Sequence, residues 1–426
     1  MPTRRIAACI VALACSLFVS LSAMAESHVR IVHLSYIDGD AQVNTGGQSS
    51  EFTHAVLNMP VTEGMWLYTP NHGRAEVRFE NGSTIRVANE SEIQFSKLAL
   101  ADSGGKLETI TVDHGIAYFN FDKLDRNDHV VISVGGKDFI LMKGSRMRVD
   151  ADKKKVNISL FKGEASIAGT SDVSLKAGES LRMSADDAAK GTMSNEISKL
   201  DTDKWNKERD GEVDALVARS NRTSQQWPDT YTYEMSSLGA YGNFFDVPGV
   251  GMMWQPSGMG MGWSPFSNGL WGFYPGIGYT WISSYQWGWA PYRYGSWQYV
   301  PSYGWAWAPG SNFTGWNVGP NLRGALPTGY RGPVQPAVGS GVKPAQLVVV
   351  GHPTDVHPSI IAGKAAVGAH PQKSPALRAS STGPDARRAS NPGASEHSHA
   401  EPAMTHSGFG GSTHVNSGSN GGVRPK

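Results

Sequence analysis

Tryptophan, tyrosine and one arginine are the residues of this sequence whose types and spacing best suit a binding chemistry. Between Gly251 and Trp316 the chain holds ten Trp, seven Tyr and three Phe. Flat aromatic rings stack on sugar rings or apolar partners, and tyrosine hydroxyls and a guanidinium add hydrogen bonds. The candidate contact residues for a ligand or partner are Trp281, Trp287, Trp289, Tyr292, Arg293, Tyr294, Trp297, Trp305 and Trp307.

The spacing of these aromatics predicts short strands joined by turns. Trp recurs every eight to ten residues, which is one strand plus one turn. A second regularity is an offset of 18 residues between WGWAP at 287–291 and WAWAP at 305–309, which predicts tandem hairpin-like units. Aromatics also recur at i and i+2, which share one face of a strand; the pairs are Tyr279/Trp281, Trp287/Trp289, Tyr292/Tyr294, Trp297/Tyr299 and Trp305/Trp307.

Two interpretations of the aromatic segment stay open at the level of sequence. In the first, the rings are the core of a small β module, because large rings bury much area each. In the second, part of the set forms an exposed face that binds sugars or apolar partners. Glycine and proline every few residues argue against a membrane helix.

Motifs that would define an enzyme, a metal centre or a cofactor site are not found in the sequence. It has no nucleophile elbow, phosphate loop or H-E-x-x-H motif. Asp113 and His114 are adjacent, but neighbours along a strand point to opposite faces, which argues against a catalytic pair. We therefore predict a non-enzymatic protein with no catalytic residue, no metal and no cofactor.

Residues 1–25 are typical of a secretory signal peptide. Arg4 and Arg5 precede an apolar run, and Ala23-Met24-Ala25 matches the small-x-small cleavage pattern. Both cysteines of the chain lie in this leader, which excludes disulfides and thiol catalysis from the mature protein. We predict an exported protein, periplasmic or extracellular, without a transmembrane helix after signal cleavage.

Residues 28–185 alternate apolar and polar positions and predict an all-β domain. The clearest hairpin is AEVRFENGSTIRV at 75–87, which turns at Asn81-Gly82. The pattern G-x-A-x-apolar recurs, with its glycine opening a strand and its alanine suited to a crowded inner face. Irregular spacing favours a compact β-roll or sandwich over a strict solenoid; the four glycines are Gly39, Gly73, Gly115 and Gly163.

The order of three segments in this region resembles a FecR-type domain. They are VTEGMWLYTPNHGRAEVRFENGSTIRVANESEIQF, then VDHGIAYFNF, then LMKGSRMRVD followed by NISLFKGEASIAG and LKAGESLRM. The resemblance implies an exported β interaction module. In iron-uptake signalling such a domain is the periplasmic part of a sigma-factor regulator, which relays contact with an outer-membrane receptor.

The rest of the chain divides into four further parts. Residues 195–220 predict one amphipathic helix, with Trp205, Glu208, Glu212 and Leu216 on one side and a charged, solvated face opposite. Residues 221–250 predict a linker. Residues 251–317 predict the aromatic-rich β module. Residues 318–426 predict a largely disordered tail rich in Gly, Pro, Ser and His, in which only AQLVVVGH at 345–352 favours a strand.

The aromatic segment also resembles an uncharacterised bacterial module that often follows FecR-like domains. Its strings are a W-N-x-x-R-D helix at 205–210, GWAPYRYGSW at 288–297 and YGWAWAPG at 303–310. This resemblance brings no assigned activity.

The sequence thus predicts a mainly β, exported cell-envelope protein that binds or scaffolds an unidentified envelope protein or polysaccharide, and not nucleic acid, because the net charge is only +1. The alternative is a periplasmic signalling component that relays a state to a separate membrane or sigma-factor partner. The identity of the partner, the orientation of the aromatic rings and the oligomeric state stay open.

Overall fold

The computed structural model describes residues 30–46, 51–169, 174–184, 191–220, 232–260, 262–274, 277–316 and 319–336. The predicted signal peptide and the predicted tail beyond residue 336, including AQLVVVGH, lie outside the described residues. The described chain is mainly β, as the sequence predicts, and forms a β-roll followed by an aromatic module.

The β-roll consists of strands that alternate apolar inward and polar outward side chains. Its sixteen strands are β1 Val32–Asp38, β2 Gln42–Asn44, β3 Thr53–His54, β4 Trp66–Thr69, β5 Arg74–Phe79, β6 Thr84–Val87, β7 Ser91–Leu100, β8 Lys106–Phe121, β9 His129–Val134, β10 Lys137–Leu141, β11 Ser145–Ala151, β12 Lys155–Lys162, β13 Glu164–Ile167, β14 Ser174–Lys176, β15 Ser180–Ser184 and β16 Thr192–Ser194.

These strands form two sheets that share the long strand β8. Sheet I has the order β1-β5-β6-β8-β11-β12-β15-β16 and uses the second half of β8. Sheet II has the order β3-β2-β4-β7-β8-β9-β10-β13-β14 and uses the first half. The inward side chains of both sheets form one core, which includes Val77, Ile85, Ile110 and Phe119.

The recurring G-x-A-x-apolar pattern marks the corners where the chain passes between the two sheets. Gly115 interrupts β8 at such a corner with φ +91°, and a Cβ there would lie 2.2 Å from the Ser91 hydroxyl. Glycine is therefore required for the bend. The alanines two places after the four glycines are all buried, as the pattern predicts; they are Ala41, Ala75, Ala117 and Ala165.

The predicted hairpin at 75–87 is confirmed. β5 and β6 pair with Val77 opposite Ile85 and Ala75 opposite Val87. Gly82 takes φ +83° in the turn, and the Gly82 amide donates to the Phe79 carbonyl at 2.9 Å.

The helix predicted over 195–220 is α1, Asp201–Ser220. The predicted linker 221–250 differs from the structure in its described part, because α2, Thr232–Tyr241, and β17, Gly242–Val247, occupy it. The physical reason is tertiary burial: Met235 and Leu238 of α2 enter the aromatic core, which a composition-based linker assignment does not anticipate.

The aromatic module comprises α2 and residues 242–336. Sheet III has the order β17-β18-β22-β21-β23, and β19 and β20 form a separate hairpin. The predicted tail begins later than residue 318, since Tyr330 packs on Trp305 with ring centroids 5.1 Å apart. The remaining elements are β18 Gly251–Pro256, β19 Gly269–Tyr274, β20 Gly278–Ser283, α3 Ala290–Arg293, β21 Tyr294–Val300, β22 Gly304–Phe313 and β23 Leu322–Arg323.

The 18-residue sequence repeat in this module is not a structural repeat. The segment 287–291 forms a turn and the start of α3, whereas 305–309 lies in β22. Pro291 suits the first turn of a helix because it has no N–H to leave unsatisfied there. Gly288 packs against Ser283 too closely for a Cβ, whereas Ala306 sits in a regular strand opposite Gln298.

Candidate functional site at the junction of the two modules

The outer face of sheet I is where the β-roll, α1 and the aromatic module meet. On β1, Val32 and Leu34 enter the core of the roll, so His33 between them points outward. The His33 ring stacks on the Trp289 ring with centroids 3.8 Å apart and 7° between planes. This stack joins a strand of the roll to the turn before α3.

Burial is the main cause that holds the pKa of His33 well below its ordinary value. The cation of Arg78 lowers the pKa further and that of Arg293 adds to the effect, whereas the Glu76 carboxylate opposes them. His33 is therefore a neutral ring in the folded protein at neutral pH.

Asn58 is a second connection between the two modules. Its backbone takes φ 66°, a left-handed conformation that asparagine tolerates better than most residues. The Asn58 side-chain amide donates to the carbonyls of Ser283 at 2.9 Å and Tyr285 at 2.8 Å. These bonds join Asn58 of the roll to the backbone at the end of β20 and just beyond it, where the Tyr285 carbonyl also accepts from the Gly288 amide at 2.8 Å.

Arg293 is the buried cation on the module side of the junction. Its Nη2 donates to the Thr280 hydroxyl at 2.8 Å and to the Trp281 carbonyl. The guanidinium also lies over the Trp316 ring, 5.3 Å from the centroid. Burial lowers the pKa of Arg293 to about 9, so the group stays charged at neutral pH.

Glu76 is the centre of a buried charge network on the roll side. Its carboxylate accepts from Arg78 Nη2 at 2.7 Å, Arg86 Nε at 2.8 Å and Ser35 Oγ at 2.9 Å. Arg209 of α1 lies 3.5 Å away. Burial by itself raises the pKa of Glu76, but Arg78, Arg209 and Arg86 together hold it well below its usual range. The carboxylate is therefore ionised and multiply paired.

Helix α1 docks on sheet I through the Glu76 network and through a second group of contacts around Asp203. Arg86 Nη1 donates to Asp210 at 2.7 Å, and Arg148 Nη1 donates to Asp203 at 2.6 Å. Tyr118 also donates its hydroxyl to Asp203 at 2.8 Å, and burial is the first cause that raises its pKa. Trp205, 6% exposed, packs across the edge of the Tyr118 ring.

The charged face of α1 therefore differs from the solvated surface predicted for it. Arg209 is 7% exposed and Asp210 binds sheet I, whereas Lys204, Lys207 and Glu208 are not buried. The sequence does contain a signal for this contact, in the strand periodicity of two arginines and the helical periodicity of two aspartates. Arg86 and Arg148 occupy outward strand positions, and Asp203 and Asp210 lie two helical turns apart on one face.

All nine aromatic-segment candidates for ligand contact are buried, at 6% exposure or less. Trp281 lies in β20, Trp287 and Trp289 in the turn before α3, Tyr292 and Arg293 in α3, Tyr294 and Trp297 in β21, and Trp305 and Trp307 in β22. The burial answers the question of ring orientation that the sequence left open. A role of these side chains in ligand contact stays a prediction.

Hydrogen bonds and ring packing hold these aromatics in the core. The indole N–H of Trp297 donates to the Pro291 carbonyl at 2.9 Å, and that of Trp307 to the Tyr294 carbonyl at 2.8 Å. Trp254 meets Trp287 edge-on with centroids 5.1 Å apart. Edge-to-face packing of this kind adds stability beyond the area buried.

Asp113 and His114 do form a contact, 2.9 Å between Oδ2 and Nδ1, although adjacent strand positions normally diverge. A β-bulge in β8 at Asp113 breaks the regular alternation, since Glu92 pairs with His114 and Ile93 pairs with Val112. Their side chains are 59% and 39% exposed, which is typical of a surface pair. Within the described part of the chain, no group of three or more His, Cys, Asp and Glu residues is arranged to hold a metal ion. No described helix is long and apolar enough to cross a membrane.

The fold and the junction define a β protein of two modules. Residues 66–166 match the family described as "FecR protein", and residues 235–331 match a "Family of unknown function (DUF6600)". The second match covers the aromatic module. The two resemblances noted in the sequence are thus confirmed.

No curated protein matches the chain. Two crystal structures of a "putative anti-sigma factor" from Parabacteroides distasonis ATCC 8503 are similar to part of it, at 14% and 13% identity. Each match covers 31% of this chain and 59% of the chain in the crystal structure, with a TM-score of 0.26. A likeness this partial carries no argument about function.

Proposed function

We propose that this protein is an exported, non-enzymatic component of the cell envelope that acts by binding. The FecR-type roll is the interaction domain, and the aromatic module is its structural support. The observation that carries the proposal is the junction: α1 and the module cover sheet I through the His33–Trp289 stack and the Glu76 network. Side chains on the outer face of sheet II, such as Tyr68 and Thr111, stay half-exposed.

The chemistry of the junction favours a structural role over a catalytic one. His33 is 3% exposed and enclosed by Trp289, and Glu76 is ionised among three arginines. A general acid or base must reach a substrate proton within hydrogen-bond distance. Titratable groups that are buried against each other in this way stabilise an interface instead.

The partner of this binding protein is an envelope protein or a polysaccharide, in the periplasm or outside the cell. The test is co-sedimentation of the purified full chain with isolated peptidoglycan sacculi and, separately, with membrane vesicles from the same cells. The proposal expects saturable sedimentation with at least one fraction. A chain that stays in the supernatant with both fractions contradicts it.

A second candidate function is signalling, in which the roll relays a state to a separate membrane or sigma-factor partner. The match of residues 66–166 to the FecR family favours this regulatory role. Deletion of the gene followed by transcript profiling tests it. Altered expression of one coherent set of sigma-factor-dependent genes supports signalling, and an unchanged profile contradicts it.

A further inference from the structure

The outer face of sheet II carries a continuous row of side chains that crosses six strands. Each member lies directly opposite the next in the strand pairing. Neighbouring strands lie about 4.8 Å apart, so the row is roughly 24 Å long. We call it the sheet II strip; its residues are Asn44, Trp66, Gln94, Thr111, Ser133 and Asp138.

An aromatic pair occupies one end of the strip. Trp66 and Tyr68 are at i and i+2 on β4, and both are half-buried, whereas Leu67 between them enters the core. The Tyr68 ring is held by Phe52, edge-on at 6.1 Å between centroids, and by His114 at 6.4 Å. A ring fixed as Tyr68 is offers a flat apolar face at little entropic cost, and the partly exposed Trp66 ring lies two residues away on the same face of β4.

The centre of the strip consists of hydroxyl and amide groups that are already oriented. Ser96 Oγ lies 2.7 Å from Thr111 Oγ1 and 3.2 Å from Gln94 Oε1. Ser133 Oγ donates to Asp138 at 2.6 Å. Flat rings beside a series of fixed polar groups match the alternating faces and edges of sugar rings.

The acidic side chains at the strip indicate which class of ligand it can bind. The carboxylate of Asp138 ends the strip and those of Glu92 and Asp113 lie beside it; burial followed by the charge of Asp113 raises the pKa of Glu92. An anionic polymer would meet repulsion here, whereas a neutral one would not. The length of the strip suits an extended chain of several sugar rings.

We propose that the sheet II strip binds a neutral, hydroxyl-rich polysaccharide along the row from Trp66 to Asp138. This inference rests on the proposed binding function and names its site and ligand class. It assigns sugar stacking to Trp66 and Tyr68 in the roll, whose rings are partly exposed, and not to the buried tryptophans of the aromatic module.

The test is calorimetric titration of the full chain with cellohexaose and with chitohexaose, two neutral hexasaccharides, and with hexagalacturonate as an anionic probe of equal length. Binding of at least one neutral probe and weaker binding of hexagalacturonate are expected. Failure of both neutral probes to bind overturns the proposal. If the chain still sediments with an envelope fraction in that case, the binding function stands without this site.

Variants locate the site on the strip. Trp66→Ala and Thr111→Arg should each weaken neutral-probe binding roughly tenfold or more, through loss of stacking and through steric blockage. Tyr303→Ala is the matched control, because Tyr303 is an aromatic residue of the other module with 43% exposure. If Trp66→Ala does not fold, Thr111→Arg by itself tests whether the strip is the binding site, since Thr111 is a half-exposed residue on the outer face of sheet II. Unchanged affinity in a folded Thr111→Arg variant overturns the proposal.

Discussion

The rings of His33 and Trp289 lie face to face, 3.8 Å between centroids, although 256 residues separate them in the chain (289 − 33). The stack joins an outward position of the roll to the turn before α3. It buries the part of the outer face of sheet I that β1, β5 and β6 form, where His33, Glu76 and Arg86 are 3% exposed or less.

The pH dependence of stability should report on this stack. The pKa of His33 is held well below its ordinary 6.5 by burial first and by Arg78 next, so below pH 6.5 the unfolded chain takes up a proton that the folded one does not. The stability that the neutral His33 ring contributes is fully present above pH 6.5 and decreases as the pH falls below that value. His33→Phe keeps an aromatic ring but cannot take up a proton. Between pH 7.5 and 5.5 its free energy of unfolding should therefore decrease by about 1.4 kcal/mol less than that of the unmodified protein, as measured by urea unfolding.

The control for this prediction is His54→Phe, because His54 has a side chain with 73% exposure. That variant should lose stability with acid as the unmodified protein does. An identical acid response in all three proteins would show that His33 is not held neutral by the junction.

Removal of the Glu76 charge should destabilise the protein strongly. Glu76→Gln leaves Arg78, Arg86 and Arg209 without their shared buried anion, which is expected to cost about 3–5 kcal/mol in the free energy of unfolding. Glu164→Gln is the matched control, because Glu164 pairs with Lys143 at the surface. It should change stability only slightly, because exposed ion pairs contribute little. Equal effects of the two variants would contradict the role assigned to Glu76.

Arg30 is a single cation bound by two carboxylates, Glu80 at 2.5 Å and the buried Glu108. Arg30→Met should cost about 3–5 kcal/mol at pH 8, because the buried Glu108 loses its cation and must either stay charged without a partner or take up a proton. Burial raises the pKa of Glu108 to about 7 even though Arg30 lowers it, so the loss of Arg30 should raise this pKa further. Protonation of Glu108 in the folded variant becomes less costly as the pH falls, so the loss of stability should shrink toward pH 5.5. Denaturant unfolding at both values measures this.

The double variant Arg30→Met/Glu108→Gln separates charge from packing. It should recover most of the stability lost by Arg30→Met at pH 8. No recovery would mean that the side chain of Arg30 acts through its packing alone.

The corner at Gly115 should tolerate no side chain. Gly115→Ala combines φ +91° with contacts of a Cβ to Ser91 at 2.2–2.4 Å, and should cost about 2–5 kcal/mol. Gly136→Ala is the comparison, because Gly136 has φ +69° but nothing within 4 Å of its Cβ, and should cost about 1 kcal/mol. Thermal unfolding of both variants provides the measurement, and similar losses would contradict the account of the corner.

Local pattern in the sequence was enough to predict much of the β-roll. Alternation predicts Val77 and Ile85 in the core, and the G-x-A pattern predicts strand starts with a buried alanine, which the structure places at the corners of the roll. Both features are local consequences of strand geometry and of glycine's conformational freedom.

The features that the sequence could not predict are those that depend on which surfaces of the folded chain come into contact. The i/i+2 spacing showed that Trp305 and Trp307 share a face, but not that the face is buried. The partners of Glu76 include Arg209, more than 130 residues away in the chain (209 − 76 = 133). Two similar motifs, WGWAP at 287–291 and WAWAP at 305–309, have different conformations in different tertiary surroundings.

The β-roll and the aromatic module are one body joined at sheet I. Urea unfolding of the full chain tests this when followed both by far-UV circular dichroism, which reports the roll's strands, and by tryptophan fluorescence, which reports the module. We expect coincident transitions with one midpoint. A fluorescence transition at lower urea, with the circular dichroism signal intact, would contradict it.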